Sequence, residues 1–443
     1  LHRVVHGGTA EIVTTEGGNL DSVAKLLNDA NTRINNEADG ILEQSIEAAA
    51  LSEQFANQAS SEAYRAEQAA IDGVTETQTI LEQVQTSGAQ TLSKISEGGD
   101  LYELETVVEG LDIPWGIAFT DRGMLITEKV GELILITKDG ERQLISGLPS
   151  IWQQGQGGLL DITLDPDYEN QPWIYFSYSS EGETAGSGTT TIAKAQLVEN
   201  SLEQFQVLYR GTEDSEKGFH FGSRIVFDKE GYLYFSIGDR GNRDENPQSI
   251  KRDGGKIYRI NKDGSIPSDN PFVGVDGAKQ AIWSYGHRNP QGMIYHPEFD
   301  EIWVHEHGPQ GGDEINAAQK GNNYGWPVIS YGINYDGSSF TDKTALEGME
   351  QPLYYWIPSI APSGMLYVHS DKYPELNGSI FSGSLKFQYL ERLIFEGKQA
   401  VKRERWFENI GRVREITQGP DGYIYIAVEG KGIFKIVPKT PES

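Results

Sequence analysis

Two short segments of the sequence carry side chains suited to catalysis and to holding a planar ligand. His220 stands just before a predicted strand, where an imidazole is either a structural ring or, because its pKa is near neutrality, a general base. Arg288 and Asn289 lie in a turn flanked by Gly and Pro. The guanidinium fork and the amide of such a turn suit a planar ligand with carboxylate or quinone oxygens.

A third segment offers metal ligands. His305 and His307 would face the same way in a strand, but Gly and Pro follow at once and no second pair of nitrogen ligands stands nearby, which argues against zinc. Oxygen donors are more plentiful: the carbonyls of Gly308 and Pro309, the carboxylates of Asp313 and Glu314, and Tyr324. A hard cation, calcium more than magnesium, suits such a set. From the residues alone, a calcium site and a loop without a metal are equally supported.

Three further cations follow late in the chain, at Lys386, Arg412 and Arg414. If the fold brings them to Arg288, they imply an anionic ligand. The alternative is that they pair with surface carboxylates, because Asp and Glu outnumber Lys and Arg by 65 to 37 in these 443 residues. The resulting net charge of −28 argues against nucleic acid or an anionic membrane as a partner.

Two absences from the sequence narrow the chemistry further. There is no cysteine, which removes disulfides, thiolate metal sites and cysteine nucleophiles. There is also no run of about eighteen apolar residues, so no segment is predicted to span a bilayer.

The elements that position these residues divide into two parts near residue 100. Residues 1–100 contain no proline or tryptophan, and 41–72 contain neither glycine nor proline. This composition predicts an acidic, coiled-coil-like α-helical stalk that self-associates, as a homo-oligomer such as a trimer, through residues 20–98. A flexible linker is the alternative. A short β-like piece is predicted before the helix, within residues 1–19.

Residues 101–443 repeat one pattern, an apolar strand, a turn with Asp, Pro or Gly, and an aromatic-rich strand. Six copies predict an all-β fold, a six-bladed β-propeller, with a β-sandwich as the alternative. The first strands of the six pairs begin at Trp115, Leu159, Ser223, Gly292, Gly364 and Val413.

Residues 105–438 resemble the soluble, pyrroloquinoline quinone (PQQ)-dependent sugar dehydrogenases, the glucose/sorbosone dehydrogenase family, in its aldose sugar dehydrogenase branch. The resemblance rests on motifs in the family's order. They are Ile113-Pro-Trp-Gly116, Gly155-Gln-Gly-Gly-Leu-Leu160, His220-Phe-Gly-Ser-Arg224, Ile237-Gly-Asp239, Gly286-His-Arg-Asn-Pro-Gln-Gly292, Glu306-His-Gly-Pro309, Asp313-Glu-Ile-Asn316, Asn323-Tyr-Gly-Trp-Pro327, Ala361-Pro-Ser-Gly364 and Arg412-Val-Arg414. The resemblance implies oxidation of aldoses at C1 to lactones, with PQQ and Ca²⁺ as cofactors and an external electron acceptor.

The resemblance also implies roles for individual residues. His220 matches the general base, and Arg288 the arginine that stabilises charge on the quinone oxygen. Five positions match cofactor contacts: Gln156, Asn289, Lys386, Arg412 and Arg414. The carbonyls of Gly308 and Pro309 match ligands of a catalytic calcium, while Asp313, Glu314 and Tyr324 match a second calcium site. Phe219 stands where some members carry an acid beside the histidine, so another group is expected to orient the His220 ring.

Residues 1–100 resemble the connector and stalk regions of bacteriophage tail fibres, through the segment Thr14-Thr-Glu-Gly-Gly-Asn-Leu20 and the Ala/Glu/Gln-rich stretch after it. This resemblance implies an alternative function, in which the propeller is the sugar-binding head of a fibre or adhesin without redox turnover. The family resemblance implies an extracellular or periplasmic location, and the fibre resemblance a virion.

Overall fold

The computed structural model describes residues 14–15, 18–19, 95–212 and 214–439. The chain forms two compact units, Leu1–Gly88 and Ala89–Ser443. In the first unit, β1 (Thr14–Thr15) pairs antiparallel with β2 (Gly18–Asn19). The predicted helix and nearly all of the predicted oligomerisation segment fall outside the described residues. Across the described part of the chain the single helix is a 3₁₀ turn, Pro374–Leu376.

Six sheets form the second unit, and we call them blades 1 to 6. Blade 1 contains β5 (Pro114–Thr120), β6 (Gly123–Glu128), β7 (Glu132–Thr137) and β8 (Arg142–Ile145). Blade 2 contains β9 (Leu159–Leu164), β10 (Trp173–Glu181), β11 (Gly188–Val198) and β12 (Ser201–Arg210). Blade 3 contains β13 (Ile225–Phe227), β14 (Leu233–Ile237), β15 (Lys256–Ile260) and β16 (Ile282–Tyr285).

Blade 4 contains β17 (Pro290–His296), β18 (Glu301–Glu306), β19 (Asp313–Ala318) and β20 (Tyr354–Trp356). Blade 5 contains β21 (Pro362–Tyr367), β22 (Ile380–Ser384), β23 (Leu390–Glu396), β24 (Gln399–Trp406) and, parallel to β24, β3 (Ile95–Glu97). Blade 6 contains β25 (Val413–Gln418), β26 (Ile424–Val428), β27 (Gly432–Pro438) and β4 (Tyr102–Glu109). The six predicted strand pairs are the first two strands of these blades, so the six-bladed β-propeller is confirmed.

The blades close into a ring around their first strands. β5, β9, β13, β17, β21 and β25 contact one another in cyclic order, the last touching the first. The ring closes in blade 6, where β4, from the N-terminal part of the propeller, pairs antiparallel with β27 from its C-terminal part. This pairing joins the N-terminal and C-terminal parts of the propeller in one sheet, and a closed ring of blades leaves only short, protected sheet edges.

The apolar core lies between neighbouring blades, because each sheet buries both faces. All five residues of β14 are buried, and four of the five are apolar or aromatic, Ser236 being the exception. Phe235 and Tyr258 of blade 3 pack with Ile192 of blade 2 in one such layer. This packing fixes the strand ends, and with them the loops of the site.

Two sets of loops emerge at the same end of the ring. Antiparallel strands alternate in direction, so the turn between strands two and three of a blade lies at the same end as the link to the next blade. His220 and Arg288 lie in links, and Pro309 and Lys386 lie in turns between second and third strands.

Within the described residues, no helix is long and apolar enough to cross a membrane.

Candidate active site

The loop from β12 to β13 carries His220. Its backbone is left-handed, with φ of +58°, an uncommon conformation for a residue other than glycine. The amide N–H of His220 donates to Oε1 of Gln156 at 2.9 Å, while the amide of Gln156 donates to the carbonyl of Gly218 at 2.7 Å. Gln156, which lies in the link between blades 1 and 2, therefore fixes the backbone of His220.

Asp239 is the group that orients the His220 ring. It lies two residues beyond β14 and is buried, and its Oδ1 is 2.6 Å from His220 Nδ1. Oδ1 also accepts the amide of Gly241 at 2.8 Å, and Oδ2 accepts the indole N–H of Trp326 at 2.9 Å. The carboxylate is thus held on both oxygens.

The charges around this pair set the protonation of His220. Burial works to raise the pKa of Asp239, but the hydrogen bond from His220 and the charge of Arg288 outweigh it and lower the pKa. Burial and the charge of Arg288 lower the pKa of His220, against the opposing effect of Asp239. An ionised carboxylate can only accept, so Nδ1 carries the proton and Nε2 keeps its lone pair. With 14% of its side chain exposed, the ring is accessible as a base.

Arg288 lies beside this pair at the entry to β17. Its carbonyl accepts the amide of Asp239 at 2.7 Å, and its guanidinium carbon is 5.3 Å from the centre of the Trp326 ring. Nη1 donates to the carbonyl of His307 at 3.1 Å, whereas the buried Nε has no partner. An unpaired buried guanidinium N–H is costly unless a ligand accepts it.

Asn289 joins the histidine loop to the next blade. Its Oδ1 accepts the amide of Gly222 at 3.1 Å, and Gln291 Nε2 lies 3.3 Å from the same oxygen. Its carbonyl accepts the amide of His307 at 3.1 Å. Gln156, His220, Arg288 and Asn289, which the sequence analysis singled out, therefore form one connected group.

The late cations reach the same end of the ring, two of them with a shared counter-ion. Arg412 Nε is 2.5 Å from Glu429 Oε2, and Arg414 Nε is 2.9 Å from Glu429 Oε1. Burial would raise the pKa of Glu429, but the two arginine charges hold it below its usual value. Arg412 Nη1 also donates to the carbonyl of Leu385 at 3.1 Å, beside half-buried Lys386. The two arginines are thus ion-paired, as one of the sequence-based alternatives expects, and an anionic ligand at these cations stays a prediction.

Gly308 and Pro309 lie next to Arg288 because His307, its hydrogen-bond partner, precedes them. Asp313 shapes this turn. Its Oδ1 accepts the amide of Gly308 at 2.8 Å and the hydroxyl of Ser359 at 2.9 Å, and its Oδ2 accepts the amide of Ala361 at 2.8 Å. Burial raises the pKa of Asp313 to about 6. Its carboxylate oxygens are already occupied by protein donors.

Glu314 points away from Asp313, because successive residues of a strand face opposite sides. In register it pairs with Glu306 of β18, and burial together with the Glu306 charge raises its pKa to about 8. Asn316 Nδ2 is 3.1 Å from Glu306 Oε1 and 3.3 Å from Glu314 Oε2, while the buried Asn316 Oδ1 has no partner. A buried carboxylate, Glu306, a partly buried one, Glu314, and an orphaned amide oxygen are hard donors suited to calcium.

Tyr324 joins this second cluster through its ring. The ring stacks on His287 with centroids 4.5 Å apart, and His287 Nδ1 is 2.8 Å from Glu306 Oε1. The phenol itself donates to the carbonyl of Ala317 and accepts the amide of Gln319. In the part of the chain that the structure describes, no three His, Cys, Asp or Glu side chains form a metal-binding group. Any metal here would need backbone or amide oxygens as well.

Comparison with known families decides the kind of protein. A family model described as Glucose / Sorbosone dehydrogenase matches residues 111–435. The chain belongs to the glucose/sorbosone dehydrogenase family. The prediction of a sugar dehydrogenase-type oxidoreductase is thereby confirmed.

Relatives within this family cover nearly the whole propeller. The aldose sugar dehydrogenase YliI of Escherichia coli (strain K12) is 39% identical over 346 residues, spanning 76% of this chain and 93% of the relative. A crystal structure of a glucose dehydrogenase is 38% identical with a TM-score of 0.74, and the match covers 76% of this chain and 100% of that one. The PQQ-bound aldose sugar dehydrogenase of Streptomyces coelicolor is 25% identical with a TM-score of 0.64, covering 78% and 100% of the two chains.

Three residues of this glucose/sorbosone dehydrogenase family member emerge only from the structure. Asp239, Glu429 and Trp326 contact the predicted site residues, yet none was assigned a role from the sequence. The signal for Asp239 was its position just beyond the second strand of a blade, at the loop end of the ring. Glu429 stands in the same place, just beyond β26. Acids at that position of a blade reach the site.

Proposed function

We propose that this protein oxidises aldose sugars at C1 to lactones, with PQQ bound at the site and Ca²⁺ beside it. His220 would take the proton of the C1 hydroxyl on Nε2, while the C1 hydrogen leaves as hydride. The single observation that carries this proposal is the His220–Asp239 pair next to a buried arginine with an unpaired donor. When bound, PQQ supplies the electrophilic quinone carbon that accepts hydride.

The chain's own residues divide the work around that reaction. Asp239 holds the ring in the tautomer that leaves Nε2 free, and it stabilises the imidazolium that forms on proton transfer. Arg288 directs its unpaired Nε and its charge to where an oxygen becomes negative. Gln156 and Asn289 hold the His220 loop, so the base is already placed before a sugar arrives.

The positively charged side chains at the loop end of the ring fit a cofactor with several carboxylates. Lys386, Arg412 and Arg414 would hold those carboxylates, and Glu429 neutralises part of the charge of the two arginines. Arg412 is 47% exposed and its guanidinium is accessible to a ligand. Guanidinium groups bind carboxylates through paired N–H donors, which suits this task.

The oxygen donors of two neighbouring regions fit calcium. The carbonyls of Gly308 and Pro309 would bind one ion beside Arg288, in a turn held by Asp313. A second ion would bind the Glu306–Glu314 pair on the other face of β19, near Tyr324. Calcium there would neutralise two carboxylates that burial otherwise disfavours as charged groups.

A sugar substrate and an external electron acceptor complete the proposed reaction. The two electrons and two protons removed from the sugar, one proton from the C1 hydroxyl and one carried by the hydride, must leave before the next turnover, and the electrons require an oxidant outside the chain. The proposed location is extracellular or periplasmic, by analogy with the family.

The experiment that tests this proposal is reconstitution of the full chain with PQQ and Ca²⁺, followed by dye reduction with a panel of aldoses. We expect turnover and lactone formation, and His220→Ala should abolish turnover while leaving the absorbance of bound cofactor. His369→Ala is the matched control, because His369 is exposed in the turn between β21 and β22, the first two strands of blade 5. Sugar binding without turnover by the intact protein would favour the adhesin alternative and refute ours.

A further inference from the structure

Arg240 is a buried arginine beside the proposed base, and its partners are unusual. It is 1% exposed, yet no carboxylate of the described residues lies within ion-pair distance of it. Its two terminal nitrogens donate to backbone carbonyls instead, whereas the buried Nε has no partner. Nη1 donates to the carbonyl of Phe219, and Nη2 donates to those of Lys217 and Gly188 at 3.0 and 3.2 Å.

The geometry of the guanidinium explains why an arginine stands here. Its carbon lies 3.6 Å from the centre of the Phe221 ring, so one face is stacked while the edge donates to two carbonyls of the same loop. These carbonyls, of Lys217 and Phe219, flank the one that Gln156 engages. Residues 217–223 of the loop belong to no strand or helix, so side chains from other segments, Arg240, Gln156 and Asn289, set their course.

Burying this charge is costly, and burial lowers the pKa of Arg240 to about 9 although the charges of Asp239 and Asp214 oppose that effect. A neutral side chain of similar size would fill the same space without that penalty. The arginine also follows Asp239 directly, so the residue that orients the His220 ring and the residue that holds the His220 backbone come from one turn. This arrangement indicates a purpose other than stability.

We propose that Arg240 is a positioning residue for the base, holding the carbonyls on either side of Gly218 so that His220 keeps its left-handed backbone and its ring reaches Asp239. The inference rests on the proposed function, in which His220 accepts the proton. It assigns to Arg240 no contact with substrate or cofactor.

Activity and cofactor binding in the PQQ- and Ca²⁺-loaded full chain test this role. Arg240→Ala should lower kcat about 100-fold, the cost of a roughly 1 Å misplacement of a catalytic group. Arg240→Lys, which keeps the charge but not the fork, should fall between that variant and the wild type. The Kd for PQQ should change by less than about threefold in both, since Arg240 does not touch the cofactor site. Guanidine hydrochloride at millimolar concentration should restore part of the activity of Arg240→Ala and leave the wild type unchanged.

The matched control is Arg259→Ala, which removes another buried arginine of blade 3. Arg259 stacks on Tyr232 at 4.3 Å and donates to Asn270 at 2.9 Å, away from the site. It should lose thermal stability as Arg240→Ala does, without the loss of kcat and without rescue by guanidine. Wild-type kcat in Arg240→Lys, or equal losses in both alanine variants, would overturn the inference.

Hydrogen exchange of the apo protein separates this inference from the proposed function. The amides of His220 and Gly222 are hydrogen-bonded to Gln156 and Asn289, so a peptide spanning residues 217–223 should be protected. We expect faster exchange there in Arg240→Lys, with peptides of blades 1 and 6 unchanged. Unchanged exchange would refute the role of Arg240 even if the wild type had no turnover. If the wild type shows no turnover but exchange in Arg240→Lys is faster as expected, only the proposed function is refuted.

Discussion

Replacing Asp239 by Asn keeps the size of the side chain and removes its charge. The carboxylate lies 2.6 Å from His220 Nδ1 and is held from its other side by Trp326. An amide at this place can offer N–H to the ring, which favours the tautomer with the proton on Nε2. That tautomer cannot accept the proton of a sugar hydroxyl. We therefore expect a loss of kcat with little change in the amount of cofactor bound.

The size of this loss follows from the charge that Asp239 faces during the reaction. When His220 becomes an imidazolium, the two charges are separated by about 4 Å, which is worth about 4 kcal/mol at an effective dielectric constant of about 20. Since about 1.4 kcal/mol corresponds to a factor of ten in rate, the upper bound is roughly 1,000-fold. The His220 side chain is partly exposed, so water screens part of this energy and we expect a loss of about 100- to 1,000-fold.

The assay is steady-state dye reduction at saturating aldose, with the bound cofactor measured by absorbance. Asp253→Asn is the matched control, because Asp253 is also buried beside blade 3 but receives the hydroxyls of Tyr209 and Tyr258 at 2.5 and 3.0 Å. It should lower the melting temperature without lowering kcat by more than about threefold. A kcat for Asp239→Asn within about threefold of the wild type would refute the reasoning about the tautomer.

Three further predictions follow from the charges and from the N-terminal segment. The pKa of Glu314 is raised to about 8 in the folded protein, so the protonated carboxyl stabilises the folded apo protein. This stabilisation is complete below the pKa that Glu314 has in the unfolded chain, and it is lost as the pH rises through about 8. Calcium should therefore raise the melting temperature more at pH 8 than at pH 5.5, and Glu314→Gln should remove that difference. The same difference between the two pH values in the variant as in the wild type would contradict the second site. Arg412→Gln should raise the Kd for PQQ about tenfold, with kcat at saturating PQQ unchanged, because Arg412 would bind a carboxylate at a partly exposed position. An unchanged Kd would remove Arg412 from the cofactor site. Light scattering after size exclusion should give the full chain a mass three times 49.0 kDa and residues 89–443 a monomer mass, whereas a monomer in both would contradict the stalk.

The strands of the propeller could be predicted from the sequence because their signal is local. Each blade begins with an apolar strand, a turn and an aromatic strand, and these neighbours in the chain are also neighbours in the sheet. The closure of blade 6 could not be predicted in this way, because β4 and β27 lie more than 300 residues apart. The motifs around His220 and Arg288 indicated the candidate site residues from the sequence, and the structure brings these residues together.

The parts of the site that the sequence left unassigned depend on contacts between distant segments. Asp239 meets His220 only because a blade turn and a blade link lie at the same end of the ring. Glu429 pairs with two arginines that precede it by 15 and 17 residues. Asp313 and Glu314 were predicted as one acidic pair, but the alternation of the strand separates them into a carboxylate that holds the turn and a partly buried cross-strand partner of Glu306. Residue type alone carries none of this geometry.

The most direct test of the central claim is a single-turnover measurement on the PQQ- and Ca²⁺-loaded protein under anaerobic conditions. The absorbance of the bound cofactor is followed after mixing with an aldose carrying hydrogen or deuterium at C1. The account predicts that the cofactor is reduced, that deuterium slows the reduction by a primary isotope effect, and that His220→Ala shows no reduction. No change in cofactor absorbance with any aldose of the panel would contradict the account, as would reduction at the wild-type rate in His220→Ala.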